Sequence, residues 1–144
     1  MATDISEESL LSNCLDNYVL DNYETSLTQI DSIINKFTSS AQKNDYLLYR
    51  AVCHYKLGKF EDALKDLDEI EKDSNYKKDY NYYLTRGKVL YFLCKFDDSK
   101  KVLNTGLESN KDNANLFNPW IKKVEDELKE WNNNLNYLNY QSIN

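Results

Sequence analysis

His54 is the only histidine among the 144 residues, and Cys53 stands directly before it. A nucleophile and a base must lie within hydrogen-bond reach, whereas neighbours on a helix project about 100° apart. His54 therefore reads as a structural or surface residue among Val52, Cys53 and Tyr55. The carboxylates of DLDEIEKD at 66–73 could attract a cation, yet they lack the glycine turn of a calcium loop. They read as a solvated helix face. Cys14, Cys53 and Cys94 are odd in number and spread over separate segments, so they read as small apolar residues of a reducing compartment. These residues predict no catalytic group, no metal and no cofactor.

The element that carries His54 organises the rest of the chain. Residues 44–71 read as two amphipathic helices folded on each other, with Ala51 and Ala63 allowing close approach. Gly58 lies in the Leu57-Gly58-Lys59 turn, where a positive φ costs it little, and Phe60 follows to wedge into the crossing. The pattern recurs. The aromatic after the turn is Tyr23, Phe60 and Phe96, at spacings of 37 and 36 residues. Small residues recur on the first helix as Cys14, Ala51 and Gly87, and on the second as Ser26, Ala63 and Ser99. Ile30, Leu67 and Leu103 form a fourth column. A period of this length is the signature of stacked helical hairpins.

The chain is long enough for one domain that buries roughly 70% of its unfolded surface. With 3 Gly and 1 Pro, it lacks the turn punctuation of a many-stranded sheet, so an all-α fold is expected. A net charge of −6, with no basic cluster, argues against nucleic acid and anionic membrane as partners. No segment reads as a secretory signal or a membrane span, and no Asn-x-Ser/Thr acceptor occurs.

Asp4 and Glu7 predict a helix start, followed by a helix to about Leu20 and a second from about Tyr23 to Phe37, with Asp21-Asn22 as their turn. Ser39 to Asn44 is expected to be a polar joint. Lys72 to Lys78 reads as a charged connector, and Cys94-Lys95 as the third turn. The expected repeats cover about 7–40, 44–77 and 80–111. Asn118-Pro119 reads as the start of a capping helix over about 119–131, with Trp120, Val124, Leu128, Trp131 and Leu135 on one stripe. The domain is thus expected over 1–131, and the Asn-rich stretch 132–144 is expected to be frayed helix, linker or disorder.

The repeats also define a face. Leu11, Leu48 and Leu84 are equivalent, as are Tyr18, Tyr55 and Tyr91, with Leu15, Val52 and Lys88 between them. Their spacing of three and four places each set on one helical face. This is the candidate protein-binding groove, because tyrosines combine large contact area with one polar tip. The alternative is a narrow groove closed by neighbouring helices or by the tail.

Leu-Gly-Lys-Phe-x-x-Ala at 57–63 and Arg-Gly at 86–87 resemble the tetratricopeptide-repeat (TPR) family over about residues 7–111. The resemblance implies a solenoid of three helical hairpins with a C-terminal capping helix. The early Trp, the aromatic late in the first helix and the terminal Pro of that family read as absent: Leu10, Leu47 and Tyr83 take the Trp place, and Thr38, Asn75 and Lys111 the Pro place. TPR proteins that hold the acidic C-termini of heat-shock chaperones use a clamp of Lys, Asn, Asn, Lys and Arg. The aligned residues are Leu11, Leu15, Tyr49, Asn81 and Thr85, which would not supply its charge-assisted hydrogen bonds.

Leu116 to Leu128, directly after the third repeat, is similar to the close of the TPR domain in fungal SGT-one co-chaperones. That resemblance implies a non-catalytic interaction module that binds the Skp-type adaptor of SCF ubiquitin ligases, self-associates as a homodimer, and links chaperones to SCF and kinetochore assembly. It implies a cytoplasmic and nuclear protein. Contact with the ninety-kilodalton heat-shock chaperone would run through a β-sandwich outside these 144 residues. The alternatives are a TPR targeting domain of a larger enzyme and a structural solenoid subunit of another assembly.

Overall fold

In the computed structural model, residues 7–143 are described, with side chains for 12–142. The Asp4 cap and the side chains of Leu10 and Leu11 lie outside the described residues. Every regular element described is helical: α1 (Glu7–Val19), α2 (Tyr23–Ile33), α3 (Ser40–Lys56), α4 (Phe60–Glu71), α5 (Tyr80–Phe92), α6 (Phe96–Ser109) and α7 (Ala114–Ile143). Short 3₁₀ turns follow α2 and precede α7. The chain divides into two compact units, Met1–Lys77 with two hairpins and Lys78–Asn144 with the third hairpin and α7.

The three hairpin turns share one backbone solution. Asp21, Gly58 and Cys94 all have positive φ, at 61°, 75° and 60°. In each turn the following residue donates back across five positions: Asn22 to Asn17 at 2.8 Å, Lys59 to His54 at 2.7 Å and Lys95 to Leu90 at 2.9 Å. This pairing satisfies the last carbonyls of the first helix and reverses the chain. Glycine takes the left-handed conformation freely, whereas Asp21 and Cys94 bear a Cβ penalty on the order of 1 kcal/mol.

The small residues meet where the helices cross. The Ser26 hydroxyl donates to the Cys14 carbonyl at 3.0 Å, and the Ser99 hydroxyl donates to the Gly87 carbonyl at 2.7 Å. Ala51 and Ala63 fill the equivalent place in the middle hairpin, both fully buried. Around them the first unit buries Ile30, Leu47, Leu67 and Ile70, each such side chain contributing about 2 kcal/mol. The second unit buries Leu84, Leu103, Phe117, Ile121 and Val124 in one cluster.

Three boundaries differ from expectation. Residues 40–44 belong to α3, because the Ser39 hydroxyl caps the helix by accepting from Gln42 N–H at 3.3 Å. The polar character of the stretch has a purpose, since Asn44 is buried and donates to Asp73 at 2.9 Å. The last helix starts at Ala114 instead of Pro119, which brings Phe117 onto the core at 0% exposure. Pro119 then leaves the Asn115 carbonyl without its helical donor, on an exposed side where water can replace it. Finally, α7 continues through residues 132–143, a stretch for which a frayed helix was one of three expectations.

Candidate functional site

The tyrosine column first serves its own hairpins. Tyr18 packs on Tyr23 at 6.1 Å, Tyr55 on Phe60 at 6.0 Å and Tyr91 on Phe96 at 5.5 Å between ring centroids. Each is an aromatic from the end of the first helix resting on the aromatic that opens the second. All three tyrosines keep part of their surface exposed, as do Leu15 and Lys88. Leu48, Val52 and Leu84, placed on the same face by spacing, are instead buried at 5%, 8% and 7% exposure. Their helical spacing puts them on the face, but the neighbouring elements cover them.

In the first unit Tyr18 also meets Tyr49 at 5.3 Å, and Tyr49 meets Tyr46 at 5.4 Å. Burial pushes the Tyr46 hydroxyl up to about 12, and a 2.6 Å hydrogen bond to Asp21 is the main cause of a similar rise at Tyr23. These phenols stay neutral and act as apolar surface with a donor at the rim. Of the clamp-equivalent positions, Leu15 is partly exposed, Tyr49 is engaged in this chain of rings, and Thr85 is buried with its hydroxyl on Asn81 at 3.4 Å. No cation stands at any of them.

The second unit assembles a cationic aromatic patch. Trp120 of α7 lies 5.6 Å from the Tyr91 ring and 6.0 Å from Phe92 of α5. The Lys88 ammonium stands 5.3 Å from the Trp120 ring centroid, and that of Lys123 4.8 Å from it and 5.8 Å from Tyr91. Tyr91 donates to Glu127 at 3.4 Å. Phe92 is 44% exposed beside them. Lys88 and Tyr91 were placed by their repeat columns, whereas Phe92, Trp120 and Lys123 were not. The signal for Lys123 is its i,i+3 spacing from Trp120, which puts an ammonium over the indole face as Lys88 stands three residues before Tyr91. Such a patch can hold an apolar side chain on Phe92 and Trp120 while two ammonium groups meet a carboxylate.

His54 belongs to a different constellation. Arg50 of α3 grips Asp66 of α4 with donors at 2.7–3.1 Å and reaches Asp31 of α2 at 3.1 Å. His54 Nε2 lies 3.5 Å from Asp66. Burial pulls the imidazole below its ordinary value, against the pull of the Asp66 and Asp62 carboxylates. Burial likewise pushes the Asp66 carboxyl up, and the Arg50 contacts draw it back. The Cys53 thiol is fully buried and pushed up by burial, so it is not a poised nucleophile. Among the described residues, no group of three or more His, Cys, Asp and Glu could hold a metal ion.

Three helical hairpins with left-handed turns and small residues at their crossings, followed by a helix on the last of them, define the TPR fold. Comparison with known proteins agrees. The chain is similar to the TPR domain of Sgt2 from Aspergillus fumigatus, with a TM-score of 0.72 over 88% of this chain and 81% of that one. At 15% identity the likeness is one of fold. It is also 30% identical over 84 residues to Hsp70-Hsp90 organizing protein 2 of Arabidopsis thaliana, a match spanning 58% of this chain and 14% of that protein. No protein-family model matches the chain.

Proposed function

We propose that this chain is a non-catalytic protein-interaction module of the co-chaperone kind. The observation that carries the reading is the patch of Lys88, Tyr91, Phe92, Trp120 and Lys123 on a TPR fold. Aromatic residues that keep exposed area are the composition of a protein interface, and the two ammonium groups beside them suit a partner carboxylate. The resemblance to SGT-one co-chaperones supplies the finer terms: the Skp-type adaptor as partner, self-association, a cytoplasmic and nuclear location, and a place in SCF and kinetochore assembly. The Arabidopsis relative, named as an organiser of two heat-shock chaperones, supports the co-chaperone class. Direct capture of chaperone tails is a weaker reading, since Leu15, Tyr49 and Thr85 occupy clamp positions.

Calorimetric titration with the Skp-type adaptor tests the proposal. Lys88→Glu with Lys123→Glu reverses the patch charge at one partly exposed and one exposed position and should weaken binding by about tenfold, because like charges would then face the partner carboxylate. Unchanged affinity would remove the patch from the interface, and no binding by the wild-type chain would remove the adaptor.

A further inference from the structure

The apolar seam of α7 does not end with the core. Phe117, Ile121, Val124, Leu128, Trp131, Leu135 and Leu138 follow one another at alternating steps of four and three, the spacing of a coiled-coil seam. The first three are at most 9% exposed and Leu128 is half-buried. From Trp131 onward the same seam is uncovered: Trp131 is 61% exposed, Leu135 42% and Leu138 61%. Every side chain described from Lys129 to Ser142 is exposed. This stretch spans about 22 Å, and five of its residues are Asn, a poor helix former that a packed face must compensate.

We infer that the uncovered seam is a homotypic contact, in which residues 131–138 of α7 pair antiparallel with the same residues of a second copy. This deepens the self-association part of the functional reading and gives it a surface. Three observations favour a second copy over a different partner. No charged residue occurs from Trp131 to Asn144, so nothing on the seam selects a partner of opposite charge. Asn134 and Asn139 flank the seam, and an amide both donates and accepts, so it matches its own kind. An antiparallel pair centred on Leu135 sets Leu135 against its own counterpart, places Trp131 of one copy opposite Asn139, next to Leu138, of the other, and keeps the folded body of each at opposite ends. The seam offers on the order of 800–1,000 Å² across both copies, below the usual size of a permanent interface, so the contact is a reversible one of micromolar class.

Sedimentation velocity of the chain over a micromolar-to-millimolar range should show the mass rising from 17.0 kDa toward twice that value. Leu135→Glu with Leu138→Glu changes only exposed positions and should raise the dimer dissociation constant at least about tenfold. In a Cys94→Ser background, Leu135→Cys should form an interchain disulfide on oxidation while Trp131→Cys should not, because only the residue at the two-fold axis faces itself. A chain that stays monomeric throughout overturns the inference, as does a dimer that survives the double Glu variant or cross-links equally at 131 and 135. The adaptor titration is run in parallel. A surviving dimer in the Glu variant leaves self-association standing on another surface, whereas loss of adaptor binding by that variant reassigns the seam to the adaptor.

Discussion

The two units build hairpins to one plan and hold them together by different chemistry. In the first, Arg50 ties α3 to Asp31 on α2 and to Asp66 on α4, while Asn44 and Asp45 of α3 bond Asp73 and Tyr76 after α4. One period after Asp66 stands Val102, so the third hairpin has no equivalent carboxylate. The second unit relies on close apolar approach instead. A Cβ on Gly87 would fall 2.3 Å from Leu103, and one on Gly106 would fall 2.5 Å from Tyr83 and 2.6 Å from Phe117. A repeat that keeps its period is therefore free to change its cement.

The largest effects should come from removing each unit's own fastening. Phe117→Ala empties a fully buried site and should cost about 3–5 kcal/mol. Hydrogen exchange should place the loss in α5–α7, and equal loss in α1–α4 would dissolve the distinction between the units. Arg50→Met leaves Asp66, with a side chain 6% exposed, without its cation and should cost about 3 kcal/mol. Urea unfolding measures it. A loss that falls below about 1 kcal/mol would mean that the bridge is a surface pair in its energetics.

This contrast was only half legible in the sequence. The columns of Cys14, Ala51 and Gly87 against Ser26, Ala63 and Ser99 give the hairpins and their crossings, because close helix approach restricts side-chain size wherever it occurs. The Arg50 bridge spans 16 residues to Asp66 and 19 to Asp31, and no local period marks such a pair. The face reading met the same barrier. Spacing puts Leu48, Val52 and Leu84 on the side with Tyr55 and Tyr91, but burial depends on which element lies over them. The Trp120 patch needed both α5 and α7 in place, and the sequence treats Trp120 only as part of a capping stripe. The start of α7 shows local chemistry overridden: Asn118-Pro119 is a good start signal, yet the helix begins at Ala114 to bring Phe117 onto the core.

A smaller effect tests what the units share. Cys94 holds φ at 60° in the turn where the middle hairpin has Gly58. Cys94→Gly should relieve the left-handed penalty at an exposed site and raise stability by about 0.5 kcal/mol at most, net of the added chain entropy. Thermal unfolding reads it, and a destabilised variant would show that the Cys94 side chain contributes more than its conformation costs.

The smallest effect should be a pH slope confined to the first unit. The folded imidazole of His54 lies below its ordinary value because it is buried. Its contribution is therefore fully present above the ordinary histidine range and is lost as pH falls through the folded value, where the unfolded chain binds the extra proton. Asp66 acts in the opposite sense. Its folded carboxyl lies above the ordinary value, so its contribution is full in acid and is lost as pH rises through the folded value. Unfolding free energies between pH 7 and 5, compared with those of His54→Gln, isolate what the imidazole adds, its own titration together with its small pull on the Asp66 carboxyl, because both proteins keep the larger Asp66 causes, burial and the Arg50 contacts. The wild-type chain should lose more stability on acidification, by no more than the uptake of one proton allows, and the difference should appear in α3 and α4. An equal slope in both proteins would mean that the Asp66 and Asp62 carboxylates offset burial fully at His54, and that the polar fastening of the first unit is no more sensitive to acid than the apolar packing of the second.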